Sequence, residues 1–151
     1  MRYLLDTCVL SEFTKPKPEK RVLDWLKEQD LEALSLSVVT IGEIQRGISL
    51  LPASNRRTTL EAWLSEQLVS QFAGRVLSLD AETFVTWGGL MARLRQEGRT
   101  MGVFDSLIAA TALQHRLTIV TRNTRDFQHA QTSLFDPWES TGSIIPPRRS
   151  S

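Results

Sequence analysis

Short apolar runs alternating with longer amphipathic stretches predict an α/β protein, with a mainly parallel sheet covered by helices on both faces. Two further observations support that expectation. A chain of 151 residues with 41% apolar content fits one compact domain able to bury roughly 70% of its unfolded surface. The first apolar run, "YLL", stops on Asp6, and in open sheets of this kind ligands bind beyond the carboxyl ends of the strands.

Taken in order, Tyr3 to Leu5 is the first strand, and "LSLS" (34–37), "RVLSL" (75–79) and "LTIVT" (117–121) are the next three. A helix over Glu19 to Gln29 carries Val22, Trp25 and Leu26 and follows "KPKP", whose prolines suit an entry turn. Leu60, Trp63, Leu64, Leu68 and Phe72 keep the three-and-four spacing of one helix face, as do Phe84, Trp87, Met91 and Leu94. "LFDPW" is the last core segment, so the domain spans 1–139. The tail 140–151, with adjacent prolines and a small, polar and basic end, is expected to be flexible.

Lys plus Arg at 18 against Asp plus Glu at 17 give a formal charge of +1, so any electrostatic case for nucleic acid must be local. One cysteine, Cys8, excludes an internal disulfide. The longest uncharged run, Ala33 to Gly42, is far short of the ~18 residues of a membrane span. A soluble, cytoplasmic protein without a membrane partner is the expectation.

Four acids stand out. Asp6 ends a strand and is followed by Thr7 and Cys8. In "VFDSLIAATALQHR", about 100° per residue puts Asp105 on the stripe of Ile108, Ala109 and Ala112, near a helix start where a negative charge is favoured; a plain capping acid is the alternative. In "SVVTIGEIQRGISLL" the main apolar face is Ile41, Ile44, Ile48 and Leu51. Glu43 points away from it, so a solvated glutamate is the alternative, but it lies on a second, partly apolar stripe with Val39, Gly47 and Leu50, where the glycine leaves space. There a carboxylate loses hydration unless a cation or donors replace it. Asp126 follows the last strand in "TRNTRDF", beside Arg122, Asn123 and Arg125, and reads either as a turn residue or as a fourth member of the group.

The stretches "YLLDTCVLSEF", "SVVTIGEIQRGI", "FDSLIAATAL" and "TIVTRNTRDF", in that order and spacing, resemble the four acidic motifs of the PIN-domain nucleases. The similarity covers about residues 2–138 and is closest to the toxin halves of bacterial type II toxin–antitoxin pairs, the VapC and FitB-like group. The resemblance implies a PIN-like three-layer α/β/α fold and metal-dependent endoribonuclease activity with magnesium or manganese and a 5'-phosphate product. It implies an antitoxin that occludes the site, a homodimer, and operator DNA reached only through the antitoxin. Carried over by position, Asp6, Glu43, Asp105 and Asp126 form the catalytic, metal-holding cluster, with Thr7 and Asn123 in support. Cys8, where many relatives carry asparagine, and Met101-Gly102, where a proline often precedes the third acid, depart from the pattern.

The chemistry of the residues agrees. Crowded carboxylates raise one another's pKa values until a hard cation joins them, and magnesium bound by oxygen ligands can activate water for attack on a phosphodiester. Arg46, Arg116, Arg122 and Arg125 lie on or beside the motif-bearing segments and could guide an RNA backbone, with a solvated surface as the alternative for each; Arg46, Arg122 and Arg125 are the candidate RNA contacts. Trp25, Trp63 and Trp87 belong to the core or a partner interface, Trp138 is ambiguous, and neither His115 nor His129 is assigned to metal. Two other classes remain. One is a catalytically silent PIN-like binding partner. The other is a receiver-like phosphoacceptor using Asp6 and Asp80, which would want a second acid at the Thr7 or Cys8 position and a lysine at Arg122.

Overall fold

The computed structural model describes residues 1–139 and 142–148. Among them lies a five-stranded sheet in the order β3-β2-β1-β4-β5, formed by β1 (Tyr3–Leu5), β2 (Leu34–Ser37), β3 (Val76–Leu77), β4 (Thr118–Val120) and β5 (Leu134–Phe135). Every neighbouring pair is parallel, with Leu4 opposite Ser35 on one side and Ile119 on the other. β1 is therefore central, and a parallel strand flanked on both sides must be apolar on both faces. Leu4, Ile119 and Leu134 enter one core cluster, while Leu5, Val120 and Phe135 enter the other. That is the two-residue alternation of a pleated sheet, with helices covering both sides.

The first layer is built by α1 (Thr7–Ser11), α2 (Lys20–Glu28), α3 (Val38–Ser49) and α4 (Asn55–Ala62). α4 runs on through a π-helical turn, Trp63–Leu68, into α5 (Val69–Gln71). Val9, Leu10, Val22, Ile44, Ile48, Leu64 and Leu68 pack here. The second layer is the pair α6 (Ala81–Gln96) and α7 (Val103–His115), followed by α8 (Thr124–Phe127), with Leu90, Leu94, Ile108, Ala109 and Ala112 at its centre.

Several expectations shift. α7 is buried on every side from Ser106 to Ala112, not along one stripe. It is wedged between the sheet and α6, and the Trp87 indole N–H donates to Ser106 Oγ at 2.9 Å; alanines make that close approach possible. Phe84 is exposed, and Thr83 takes the inward place expected of it. The Asp80 carboxylate caps α6, accepting from Thr83 N at 2.9 Å while Thr83 Oγ1 accepts from Asp80 N at 3.2 Å. Donation to the carboxylate from the Thr83 N–H, the Thr83 hydroxyl and Gln114 holds its pKa below the usual value, so this acid serves a helix start. β5 falls within "LFDPW". Part of the tail is also placed: Ile145 forms an antiparallel bridge with Leu134, and Ile144 packs against the core. This covers the edge of β5 with a short segment that stops at Pro146. The rest of the expected tail, 140–141 and 149–151, lies outside the described residues.

Candidate active site

All the parallel strands point their carboxyl ends one way, and Asp6 is the residue immediately after central β1. Its backbone N–H donates to Val120 O at 3.0 Å, prolonging the ladder with β4. Its side chain then turns to cap α1, with Oδ1 accepting from Thr7 N at 2.9 Å. Oδ2 accepts from Thr121 Oγ1 at 2.8 Å, and the Cys8 thiol approaches the same oxygen at 3.8 Å. Asp6 is only 5% exposed. Burial raises its pKa above the usual value against these hydrogen bonds, and the Asp126 charge adds to the rise.

Glu43 arrives from α3, whose start is fixed by Ser37 Oγ accepting from Val39 N at 3.0 Å. Glu43 Oε1 accepts from Thr7 Oγ1 at 2.9 Å. Thr7 therefore serves two acids, Asp6 through its backbone and Glu43 through its hydroxyl. Of the second stripe expected on this helix, Gly47 borders open space, since a methyl group there would meet nothing within 4 Å, but Leu50 is largely exposed. A hollow of about 240 Å³ adjoins Glu43, lined by Thr7, Ser11, Gly47, Arg56 and Trp63 among others. Thr14, Arg56, Leu60 and Trp63 also line a larger one of about 610 Å³ that reaches exposed Phe13.

Asp105 lies in the first turn of α7. Its pKa is raised to about 6, first by burial and then by the charges of Asp6, Asp126 and Glu43. All three other acids are thus close enough to act on it. Asp126 is exposed on α8, with its N–H donating to Asn123 O at 3.0 Å. The Asn123 N–H in turn donates to Thr121 Oγ1 at 3.0 Å. Among the described residues no three His, Cys, Asp or Glu side chains stand close enough to enclose a metal ion. The charges of Asp6, Asp126 and Glu43 nonetheless all act on Asp105. The donors are all oxygens, which suits a hard divalent cation that keeps several of its own waters.

The candidate cations occupy different surroundings. Arg122 stacks on the Trp138 ring, 5.6 Å from its centroid. Arg125 lines a separate hollow of about 260 Å³ with Thr124, Gln128, Ile145 and Arg148. Arg46 is exposed on α3. Thr121 and Glu12 escaped the sequence reading. Thr121 is the residue after β4 and meets Asp6 only because β4 lies beside β1. Glu12, six residues after Asp6, is buried. It is ion-paired with Lys15 and accepts from Glu19 N at 2.9 Å.

A PIN domain model matches residues 3–132. The chain belongs to the PIN-domain family. It is 38% identical over 136 residues to VapC ribonuclease Y4jK of Sinorhizobium fredii, spanning 90% of this chain and 97% of the relative. It is 36% identical over 135 residues to Toxin FitB of Neisseria gonorrhoeae, spanning 89% and 97%. Among solved structures, FitAcB from Neisseria gonorrhoeae matches with a TM-score of 0.87 at 36% identity, covering 91% of this chain and 99% of that one. FitAB bound to an IR36 DNA fragment matches with a TM-score of 0.86 at 34% identity, covering 91% and 96%. These relatives bear out the PIN-like fold and the kinship with VapC and FitB. No helix among the described residues is long and apolar enough to cross a membrane.

Proposed function

We propose that this PIN domain is a divalent-metal-dependent endoribonuclease that acts as the toxin of a toxin–antitoxin pair. The observation that carries the reading is Asp105, a half-buried carboxylate on which three other acids act at the carboxyl end of a parallel sheet. The ribonuclease and toxin names of the relatives support it.

Asp6 and Asp105 would hold magnesium or manganese, with Glu43 and Asp126 completing the oxygen set or orienting the attacking water. When bound, such an ion lowers the pKa of a coordinated water and offsets charge on the phosphodiester. The chain's own residues do the positioning. Thr121 and the Thr7 N–H fix both Asp6 oxygens, and the Thr7 hydroxyl fixes Glu43. Asn123 acts through Thr121 by its backbone N–H. Burial at Asp6 keeps bulk water from the innermost carboxylate.

Toxin FitB is a relative, and the similar solved structures include FitAcB and FitAB, the latter on a DNA fragment, which supports a cognate antitoxin as partner. An antitoxin cation set among Asp6, Glu43 and Asp105 would compete with the metal for the same charge. The hollow beside Glu43, and the larger one that shares Arg56 and Trp63 with it, offer room for the rest of such a segment. A homodimer, operator DNA reached only through the antitoxin, and a cytoplasmic site complete the reading.

Incubating the purified chain with RNA in magnesium, manganese or EDTA, with Asp6→Asn as control, tests the activity. Cleavage in either metal that leaves 5'-phosphate ends, and none with EDTA or the variant, is the expected result. No cutting in either metal would mean a silent PIN-like partner, and stable labelling of Asp6 by a phosphodonor would mean a receiver-like module.

A further inference from the structure

We propose that Trp138 is a shelf that holds the guanidinium of Arg122, whose backbone is tied toward Asp6 through Cys8, so that it takes a phosphate of the RNA backbone. The proposal rests on the reading of RNA as substrate, and it gives a task to the "DPW" segment, which the acid motifs leave unexplained.

The backbone of Arg122 is fixed from the catalytic side. It follows Thr121, whose hydroxyl binds Asp6, and its own N–H donates to Cys8 Sγ at 3.5 Å. From there the side chain crosses to Trp138, and the guanidinium carbon stands 5.6 Å from the ring centroid, within the range of a cation–π contact. Trp138 is itself held at several points. Its N–H donates to Asp136 Oδ1 at 2.8 Å, its carbonyl accepts from Arg21 Nη1 at 2.8 Å, and its ring packs against the core cluster. Pro137, buried between Asp136 and Trp138, restricts the backbone just before it.

The shelf leaves the polar edge of Arg122 available. Arg122 is exposed, and among the described residues its guanidinium takes part in no hydrogen bond or ion pair. The nearby carboxylates feel its charge but are otherwise engaged, Glu12 with Lys15 and the Glu19 N–H, Asp136 with the Trp138 N–H. A planar cation with unused N–H donors, oriented by a ring face and carried on the residue after Thr121, which binds Asp6, matches a phosphate oxygen pair. It also weakens the repulsion that a polyanion meets on approaching four carboxylates.

The test is a double-mutant cycle on the full chain, reading affinity for a labelled single-stranded RNA in EDTA over a range of salt. Arg122→Ala should weaken binding about 10-fold and reduce the salt slope by about one. Trp138→Leu, which keeps apolar bulk without a ring face, should weaken binding similarly when Arg122 is present and not at all in the R122A background. Trp138→Phe should keep most of the affinity. In magnesium the same variants should raise KM far more than they lower kcat. Equal losses from Trp138→Leu in both backgrounds, or unchanged binding by Arg122→Ala, would overturn the proposal. So would a loss confined to the antitoxin complex, which would make Arg122 a protein contact. If the unsubstituted chain shows the expected binding pattern yet cuts no RNA, the nuclease reading fails and the shelf stands. If it binds no RNA, both fall.

Discussion

Asp6 and Glu12 sit at the two ends of the same short helical segment, and both are buried, yet their surroundings are opposite. Burial raises each carboxyl. Around Glu12 that rise is overcome by hydrogen bonds from Lys15 and the Glu19 N–H and by the charges of Lys15 and Arg122, so its pKa falls below the usual value. Around Asp6 the donors are neutral and the charge nearby is that of Asp126, so its pKa rises. A buried acid that serves the fold is compensated within the fold. Asp6 has no such compensation, and under the proposed function that shortfall is what an outside cation would meet. This contrast separates chemistry from scaffolding more sharply than burial does.

The contrast can be broken most severely at Asp105. Asp105→Asn should reduce metal-supported RNA cleavage by roughly three orders of magnitude, the scale on which catalytic machinery acts. The metal-free variant should melt at the same temperature or higher, because like-charge repulsion is removed. A large fall in its melting midpoint would mark Asp105 as a structural cap. Glu12→Ala should do the reverse. It leaves the Glu19 N–H and Lys15 without their partner and should cost about 2 kcal/mol in denaturant unfolding, while cleavage below the transition survives. Loss of cleavage without loss of stability would place Glu12 with the catalytic group.

Thr121→Val should lower kcat about 10-fold and stability by about 1 kcal/mol, since it removes the donor to Asp6 Oδ2 while keeping the shape. The smallest effect is in pH. The native Asp105 pKa of about 6 lies above its ordinary 3.8, so between those values the folded state binds more protons than the unfolded one. Its destabilisation is therefore fully present above pH 6 and is relieved as the pH falls toward 3.8, by about 1 kcal/mol after solvent screening is allowed for. Glu12, with its native value below 4.5, contributes stability above that pH and loses it as the pH falls further. Metal-free melts should rise from pH 7 to 5 and fall in stronger acid, and Asp105→Asn should shrink the rise to the part that the raised Asp6 carboxyl contributes while leaving the fall in place.

Much of this was legible because it is local. The boundaries of β1 and β2 follow from short apolar runs, and the place of Asp6 follows from the end of the strand it terminates. What was not legible depends on neighbours distant in the chain. Thr121 reaches Asp6 only when β4 is known to lie beside β1, and Arg122 reaches Trp138 only once the chain has passed β5. Glu12 draws no notice in the sequence because its partner, the Glu19 N–H, reaches it only once the chain has folded back. The inward turn of Thr83 in place of Phe84 follows from the Asp80 capping box, which sets the phase of α6.

The central claim is that four acids share a space awaiting positive charge, and the most direct test is an NMR titration of the Asp105 side-chain carboxyl carbon, without metal and with saturating magnesium. The account expects a midpoint near 6 in the metal-free protein, falling below 3.8 when magnesium is bound. A metal-free midpoint at 3.8, or one near 6 that magnesium leaves unmoved, would contradict it.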